Sequence, residues 1–112
     1  MKARFKRNEL GIHFIVVEGD LDYHSSSELR AELDKLVEFH PSKVLVNLKG
    51  VPYMDSSGIA VFVELYQKLK RTGGKVVFYN VPEAVLQVLE LAKLNLFFPI
   101  VKTEKEAVAL VG

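Results

Sequence analysis

The chain has 112 residues, of which 49% are apolar and 26% charged, and its 15 Lys and Arg nearly cancel its 14 Asp and Glu to leave a formal net charge of +1. That balance excludes a protein that works mainly by covering nucleic-acid phosphates, which needs a clustered basic surface. The absence of cysteine excludes disulfides, thiolate metal sites and cysteine nucleophiles. With no apolar signal core and no run approaching ~20 apolar residues, neither export nor membrane insertion is expected, and the cytoplasm is the default location.

Ala3 to Arg7 alternate weakly, and Ile12 to Glu18 form a β-branched and aromatic run. Asn8-Glu9-Leu10-Gly11 between them is a turn sequence, so the two runs read as an antiparallel strand pair. Lys2, Arg4, Lys6 and Arg7 are expected on the solvated side of the first strand. Gly19-Asp20-Leu21-Asp22 breaks the second, and Ser25, Ser26 or Ser27 can cap the helix that follows. Its apolar positions are Leu29, Leu33, Leu36 and Val37, and Pro41 ends it. Lys43 to Leu48 is a short strand, apolar enough to be buried on both faces.

The connection from Lys49 to Gly58 leads into a second helix with Ile59, Phe62, Val63, Tyr66 and Leu69 on one stripe. Thr72-Gly73-Gly74 stops it. Lys75 to Tyr79 is a strand. Pro82 opens a third helix that turns Val85, Leu86, Leu89 and Leu91 inward. Leu94 to Val101 contains a last strand or extended piece, broken at Pro99. Thr103 caps a final helix with Glu104 and Glu106 in its first turn and Ala107, Val108 and Leu110 inward. The order β-β-α-β-α-β-α-β-α predicts an α/β fold. A mixed, mostly parallel sheet of four to five strands is covered by about four helices in one domain spanning residues 1–112.

Little in this order fits an enzyme. His13 lies in a strand and His40 beside a helix end, neither at metal-ligand spacing to a partner, so no metal or other cofactor is expected. Gly73-Gly74-Lys75 runs helix, glycines, strand, the reverse of a phosphate loop. Ser56 and Ser57 are not in a Gly-x-Ser-x-Gly elbow. His24, near Asp20 and Asp22, leaves open a hydrolase built from Ser56, His24 and Asp22 or Asp55.

Met54-Asp55-Ser56-Ser57-Gly58 stands at a helix N-terminus, where Asp55, Ser56 or Ser57 can serve as an ordinary cap. Gly58 is unusual, since glycine in a first turn costs up to ~1 kcal/mol relative to alanine. Its retention suggests that something approaches the backbone closely. Tyr53 and Met54, if exposed, would offer apolar contact area to a partner.

The stretch Asn47-Leu48-Lys49-Gly50-Val51-Pro52-Tyr53-Met54-Asp55-Ser56-Ser57-Gly58-Ile59 resembles the signature of STAS domains, above all the bacterial anti-sigma-factor antagonists. Gly19-Asp20-Leu21-Asp22 is similar to the family's Gly-Glu-Leu-Asp. Gly73-Gly74, Val81-Pro82 and Thr103 to Ala107 also fit, so the resemblance runs along the whole chain. It implies a binding module rather than an enzyme. An anti-sigma factor with serine kinase activity would phosphorylate Ser56. The unphosphorylated form would bind that anti-sigma factor and free the sigma factor, and a serine phosphatase would reset the switch. Asp20, Asp22, His24, Ser25, Met54, Asp55, Ser57, Gly58 and Ile59 would form the partner surface, on a monomer or weak dimer. Ala60 stands where a second glycine is common, and Lys93 where a glycine usually precedes the leucine. The same resemblance also admits a scaffold or accessory subunit of a larger complex, such as a stress-sensing assembly or a lipid transporter, with no sigma factor to control.

Overall fold

The computed structural model describes residues 1–112. Strands β1 (Lys2–Arg7), β2 (Ile12–Glu18), β3 (Lys43–Gly50) and β4 (Lys75–Tyr79) lie in the sheet in chain order. β1 and β2 are antiparallel, with Lys2 opposite Glu18 and Arg7 opposite His13; β2–β3 and β3–β4 are parallel. The hairpin forms because the Asn8 side chain accepts from the N–H groups of Leu10 (3.0 Å) and Ile12 (2.9 Å), an Asx turn. Lys2, Arg4, Lys6 and Arg7 are exposed on β1, an edge strand whose charges discourage pairing with other chains.

Helix α1 (Tyr23–Val37) joins β2 to β3, and α2 (Ser56–Arg71) joins β3 to β4. Right-handed crossovers in one direction along the sheet put both helices on the same face. The main core lies there, built on Ile15, Val17, Val44, Val46, Val76 and Phe78 from the sheet. From the helices come Leu29, Leu33 and Leu36 of α1 and Val61, Phe62, Leu65 and Leu69 of α2. Phe62, Phe78 and Phe98 form a run of ring contacts at 5.2 and 5.1 Å. Two ion pairs clamp α1 to α2: Arg30 with Glu64 and Lys68 with Asp34, each at 2.6 Å. Both are well over a third exposed on at least one side, so each contributes at most about 1 kcal/mol. Helix α3 (Glu83–Leu91) closes the same face with Val85 and Leu89. On the opposite face α4 (Glu104–Val111) packs Ala107 and Val111 against Ile12, Leu45, Val77 and Tyr79.

The periodicity misplaces a few residues. The cap of α1 is Asp22, one residue before the helix, and not one of the three serines. Leu91, the last residue of the nine-residue α3, is 85% exposed. Leu110 is half exposed, with Val111 buried in its place. The last extended piece meets the sheet through a single parallel bridge, Phe78 with Ile100, and a 3-10 turn over Leu94–Leu96 precedes it.

Lys93 ends α3 in the left-handed region, at φ +59° and ψ +23°. A side chain there costs roughly 1–2 kcal/mol, partly offset by the ~0.5–1 kcal/mol of extra chain entropy that glycine loses on folding. Lys93→Gly is therefore expected to raise stability by about 0.5 kcal/mol and the melting temperature by about 2–4 °C. Urea and thermal unfolding measure this directly; an unchanged or lower stability would contradict it.

Candidate functional site

Because β2 and β3 are parallel, both deliver the chain to the same end of the sheet, where each connection starts a helix. Both starts are capped by an aspartate. The Asp22 carboxylate accepts from the N–H groups of His24 and Ser25, each at 3.0 Å. The Ser25 hydroxyl accepts from the Asp22 N–H at 3.0 Å, completing a capping box, and donates to the Asp20 carbonyl at 2.7 Å. At α2 the Asp55 carboxylate accepts from the Ser57 N–H at 2.9 Å, and the Asp55 carbonyl takes the Ile59 N–H at 3.1 Å. Asp55 is thus the cap among the three candidates at this helix, which leaves both serines inside the first turn.

The two connections are stitched together. Leu21 and Met54 form a parallel bridge in which the Leu21 N–H donates to the Tyr53 carbonyl at 2.9 Å and the Asp55 N–H donates to the Leu21 carbonyl at 3.1 Å. Leu21 and Met54 are both buried beneath this bridge. Gly58 faces it, and a Cβ there would lie 2.9 Å from Leu21 Cβ, 2.9 Å from Met54 Cγ and 3.2 Å from the Leu21 carbonyl oxygen. The close approach that retains this glycine comes from the chain's own β2–α1 connection.

This packing sorts the candidate residues. Ser56, Asp20 and His24 are exposed; Asp22, Ser25, Asp55, Ser57 and Ile59 are half-buried. Met54, at 2% exposed, has no area to offer a partner, and Gly58 is likewise buried. Both belong to the support beneath the surface, a correction to their expected role as contacts. Tyr53, 51% exposed, supplies the apolar area instead. Tyr23 joins it at 77% exposed, packed edge-on against the His24 ring at 5.8 Å. Sequence reasoning missed Tyr23; a large aromatic at the first position of an amphipathic helix, off the apolar stripe, was the available signal.

The Ser56 hydroxyl makes no hydrogen bond within the chain. Asp22 and Asp55, the carboxylates a hydrolase would need, are committed to the backbone of their own helices. Sizeable grooves lie elsewhere, one of about 540 Å³ beside Arg4, Phe14, Asn47 and Tyr79. There the Tyr79 phenol is pushed up to about 12 by burial and by Glu104, whose carboxylate accepts its proton at 3.1 Å. The surface around Ser56 is suited to contact with another macromolecule rather than to enclosing a small substrate.

The Asp22 carboxyl is held below the usual carboxylate range, first by the Ser25 N–H; burial opposes this as the next-largest influence, and the Ser25 hydroxyl and the His24 N–H and ring add to the lowering. A carboxyl depressed in the folded state stabilises the fold above its unfolded pKa of ~3.9, and that contribution disappears as pH falls through the folded value. Asp22→Ala is expected to be less stable than wild type at pH 7, with the gap closing as pH falls through the folded carboxyl's lowered value, which urea titrations across the acid range would show. Parallel curves would rule out the cap as the source. Gly58→Ala is expected to lose about 1–3 kcal/mol, against the ~1 kcal/mol that alanine would gain in an open helix. Equilibrium unfolding settles the sign.

Residues 6–107 match the family model described as STAS domain. The anti-sigma F factor antagonist of Paenibacillus polymyxa is 28% identical over 98 residues, which is 87% of this chain and 84% of that protein. The anti-sigma-B factor antagonist of Bacillus subtilis (strain 168) is 33% identical over 90 residues, 80% of this chain and 81% of that protein. The crystal structure of an anti-sigma factor antagonist from Mycobacterium paratuberculosis superposes with a TM-score of 0.86 over 98% of this chain and 92% of that one, at 24% identity, a likeness of fold. No helix here is long and apolar enough to cross a membrane. The family match along most of the chain, with relatives aligned over four-fifths or more of it, shows that this chain belongs to the STAS domain family.

Proposed function

We propose that this chain is an anti-sigma factor antagonist, working in the cytoplasm, whose binding is switched off by phosphorylation of Ser56. The unphosphorylated surface docks on an anti-sigma factor that is also a serine kinase, so that the sigma factor is released. In the off step the Ser56 oxygen takes the γ-phosphoryl group of the kinase-bound ATP, its proton leaves, and ADP is the other product. A serine phosphatase restores the hydroxyl by hydrolysis, with water as the acceptor.

The observation that carries this reading is the position of Ser56. It is exposed at the first residue of α2, with its hydroxyl free of internal partners, beside Tyr53 and the tethered Asp20–Ser25 segment. A phosphoserine adds about −1.5 to −2 charges and strong acceptor oxygens. At a helix N-terminus the free N–H groups and the helix dipole favour that charge, so the fold tolerates it. A partner lying over the same spot must strip water from the dianion, at several kcal/mol if no cation compensates. Each ~1.4 kcal/mol is tenfold in affinity, which makes a loss of a hundredfold or more reachable with the backbone unmoved. Asp55, one residue away, adds like-charge repulsion.

The test starts from the tagged chain purified with its partners from its own cells, followed by phosphopeptide mapping and calorimetry with the captured anti-sigma factor. Phosphate is expected on Ser56, and Ser56→Ala should bind but accept none. The phosphorylated chain should bind at least a hundredfold more weakly, and Ser56→Asp, with its single charge, at least tenfold. Both variants should unfold within ~0.5 kcal/mol of wild type, as surface changes do. Undiminished labelling of Ser56→Ala would sink the assignment. A stable complex with no phosphate on Ser56 under any growth condition would favour the scaffold-subunit reading.

A further inference from the structure

Phe5 of β1 stands directly opposite Ile15 of β2, and cross-strand partners share a face of the sheet. Ile15 is fully buried under the helices, whereas Phe5 is 40% exposed. The helical layer therefore stops short of β1 and leaves a trough between that strand and the outer flank of α1. Two residues on, Arg7 stands opposite His13 on the same face. At this end α1 finishes in a tight turn. The Phe39 N–H donates to the Leu36 carbonyl at 3.1 Å and the His40 N–H to the Val37 carbonyl at 2.9 Å, and His40 takes a left-handed φ of +50°. The turn holds Phe39 beside the trough, 76% exposed.

The trough forms a groove of about 350 Å³, at the small end of the range for ligand sites and suited to a molecule of one or two rings. Leu36, nearly buried, is its floor, and Phe5 and Phe39 are its apolar walls. Its charges are lopsided. Lys6 and Arg7 of β1 and Lys35 of α1 share it with one carboxylate, Glu32, which lies 3.9 Å from Lys35. Lys6 and Arg7 have no ion-pair partner. His13 lines the same groove, and burial first and Arg7 second push its imidazole below its ordinary value. Two unpaired cations beside two exposed aromatic rings are the elements that recognise an anion carried on an apolar body.

We propose that this groove binds a free small molecule, an aromatic body of one or two rings bearing a single carboxylate. The rings lie between Phe5 and Phe39 over Leu36, and the carboxylate meets Arg7 and Lys6. Charge selects this occupant. A neutral ring would cover the two cations without compensating them, and a second copy docked by the same face would set them against themselves. The bound carboxylate favours the imidazolium form of His13, so that residue gains its proton at a higher pH in the complex, and binding strengthens as pH falls through that value. Lys6 and Arg7 of β1 and Glu32 and Lys35 of α1 are the charged groups that share the groove with it, and its β3 neighbour is the uncharged Val44. Lys35 lies twelve residues along α1 from Tyr23, about 18 Å. The groove is thus remote from the Ser56 surface, and this inference stands whether or not Ser56 is a phosphorylation site.

The experiment titrates naphthoate into the full chain labelled with nitrogen-15. Saturable amide shifts are expected at Phe5, Arg7, Leu36 and Phe39, with a Kd of about 1 mM or tighter. Naphthamide keeps the rings and loses the charge, and should bind about fivefold more weakly; acetate keeps the charge alone, and should bind at least tenfold more weakly. The His13 ring signals should titrate at a higher pH in the complex than in the free chain. Arg7→Glu and Phe39→Ala, both at exposed positions, should each weaken binding about fivefold, while Ser56→Asp should leave it unchanged. No saturable shifts up to about 10 mM naphthoate, equal binding of naphthamide, full binding by either variant, or a His13 titration that stays put or falls would each overturn the proposal. So would shifts centred away from these four residues. A capped Glu-Phe-Glu peptide that moves the same amides and binds at least tenfold more tightly than naphthoate would also overturn it, since a segment of a partner protein would then be the occupant.

Discussion

The backbone bridge between Leu21 and Met54 fixes the geometry of the whole surface. Leu21 is fully buried, and its N–H and carbonyl must find partners or cost about 1–3 kcal/mol each. They find them in the Tyr53 carbonyl and the Asp55 N–H, so the two βα connections close as one short sheet extension. The residue after Met54 caps α2, and the next is turned out to solvent. Gly58, one turn into the helix, is a position where any side chain would collide with both connections. The exposure of Ser56 follows from the burial of its neighbours.

The same arrangement separates the fold from the switch. In the proposed cycle a dianion arrives at the positive end of a helix whose negative end carries Lys68, Lys70 and Arg71, so the charge pattern of α2 is already aligned with its dipole. The helix is held by five buried residues on one side and by two ion pairs to α1, and a surface charge at its first residue touches none of them. The energetic consequence of phosphate falls on whatever lies over Ser56. This needs no second conformation of the protein, only the desolvation of a charge in the complex and not in the free chain.

Much of this was legible in the sequence because strand and helix periods are local. The β-branched runs, the amphipathic stripe of α2 and the glycine stop at Gly73 (φ +77°) follow from spacing alone. The resemblance to STAS domains is what singles out Ser56 in the sequence. What spacing could not supply was contact between elements distant along the chain. Gly58 reads as open to an outside visitor until Leu21 is seen against it. Met54 and Tyr53 are equally apolar, and only the bridge decides which is buried. The three serines of α1 are all capping types, and Asp22 prevails because a carboxylate there reaches two N–H groups while Ser25 closes the box from the other side.

In the proposed cycle the switch needs no element with two arrangements for its partners to prefer differently. Helix α2 runs as one continuous element from Ser56 to Arg71, packed along its length by Val61, Phe62, Leu65 and Leu69. A rigid helix of this kind fixes the position of its first residue without passing a preference to its far end. The proposed effect of phosphate therefore stays with the partner that would lie over Ser56.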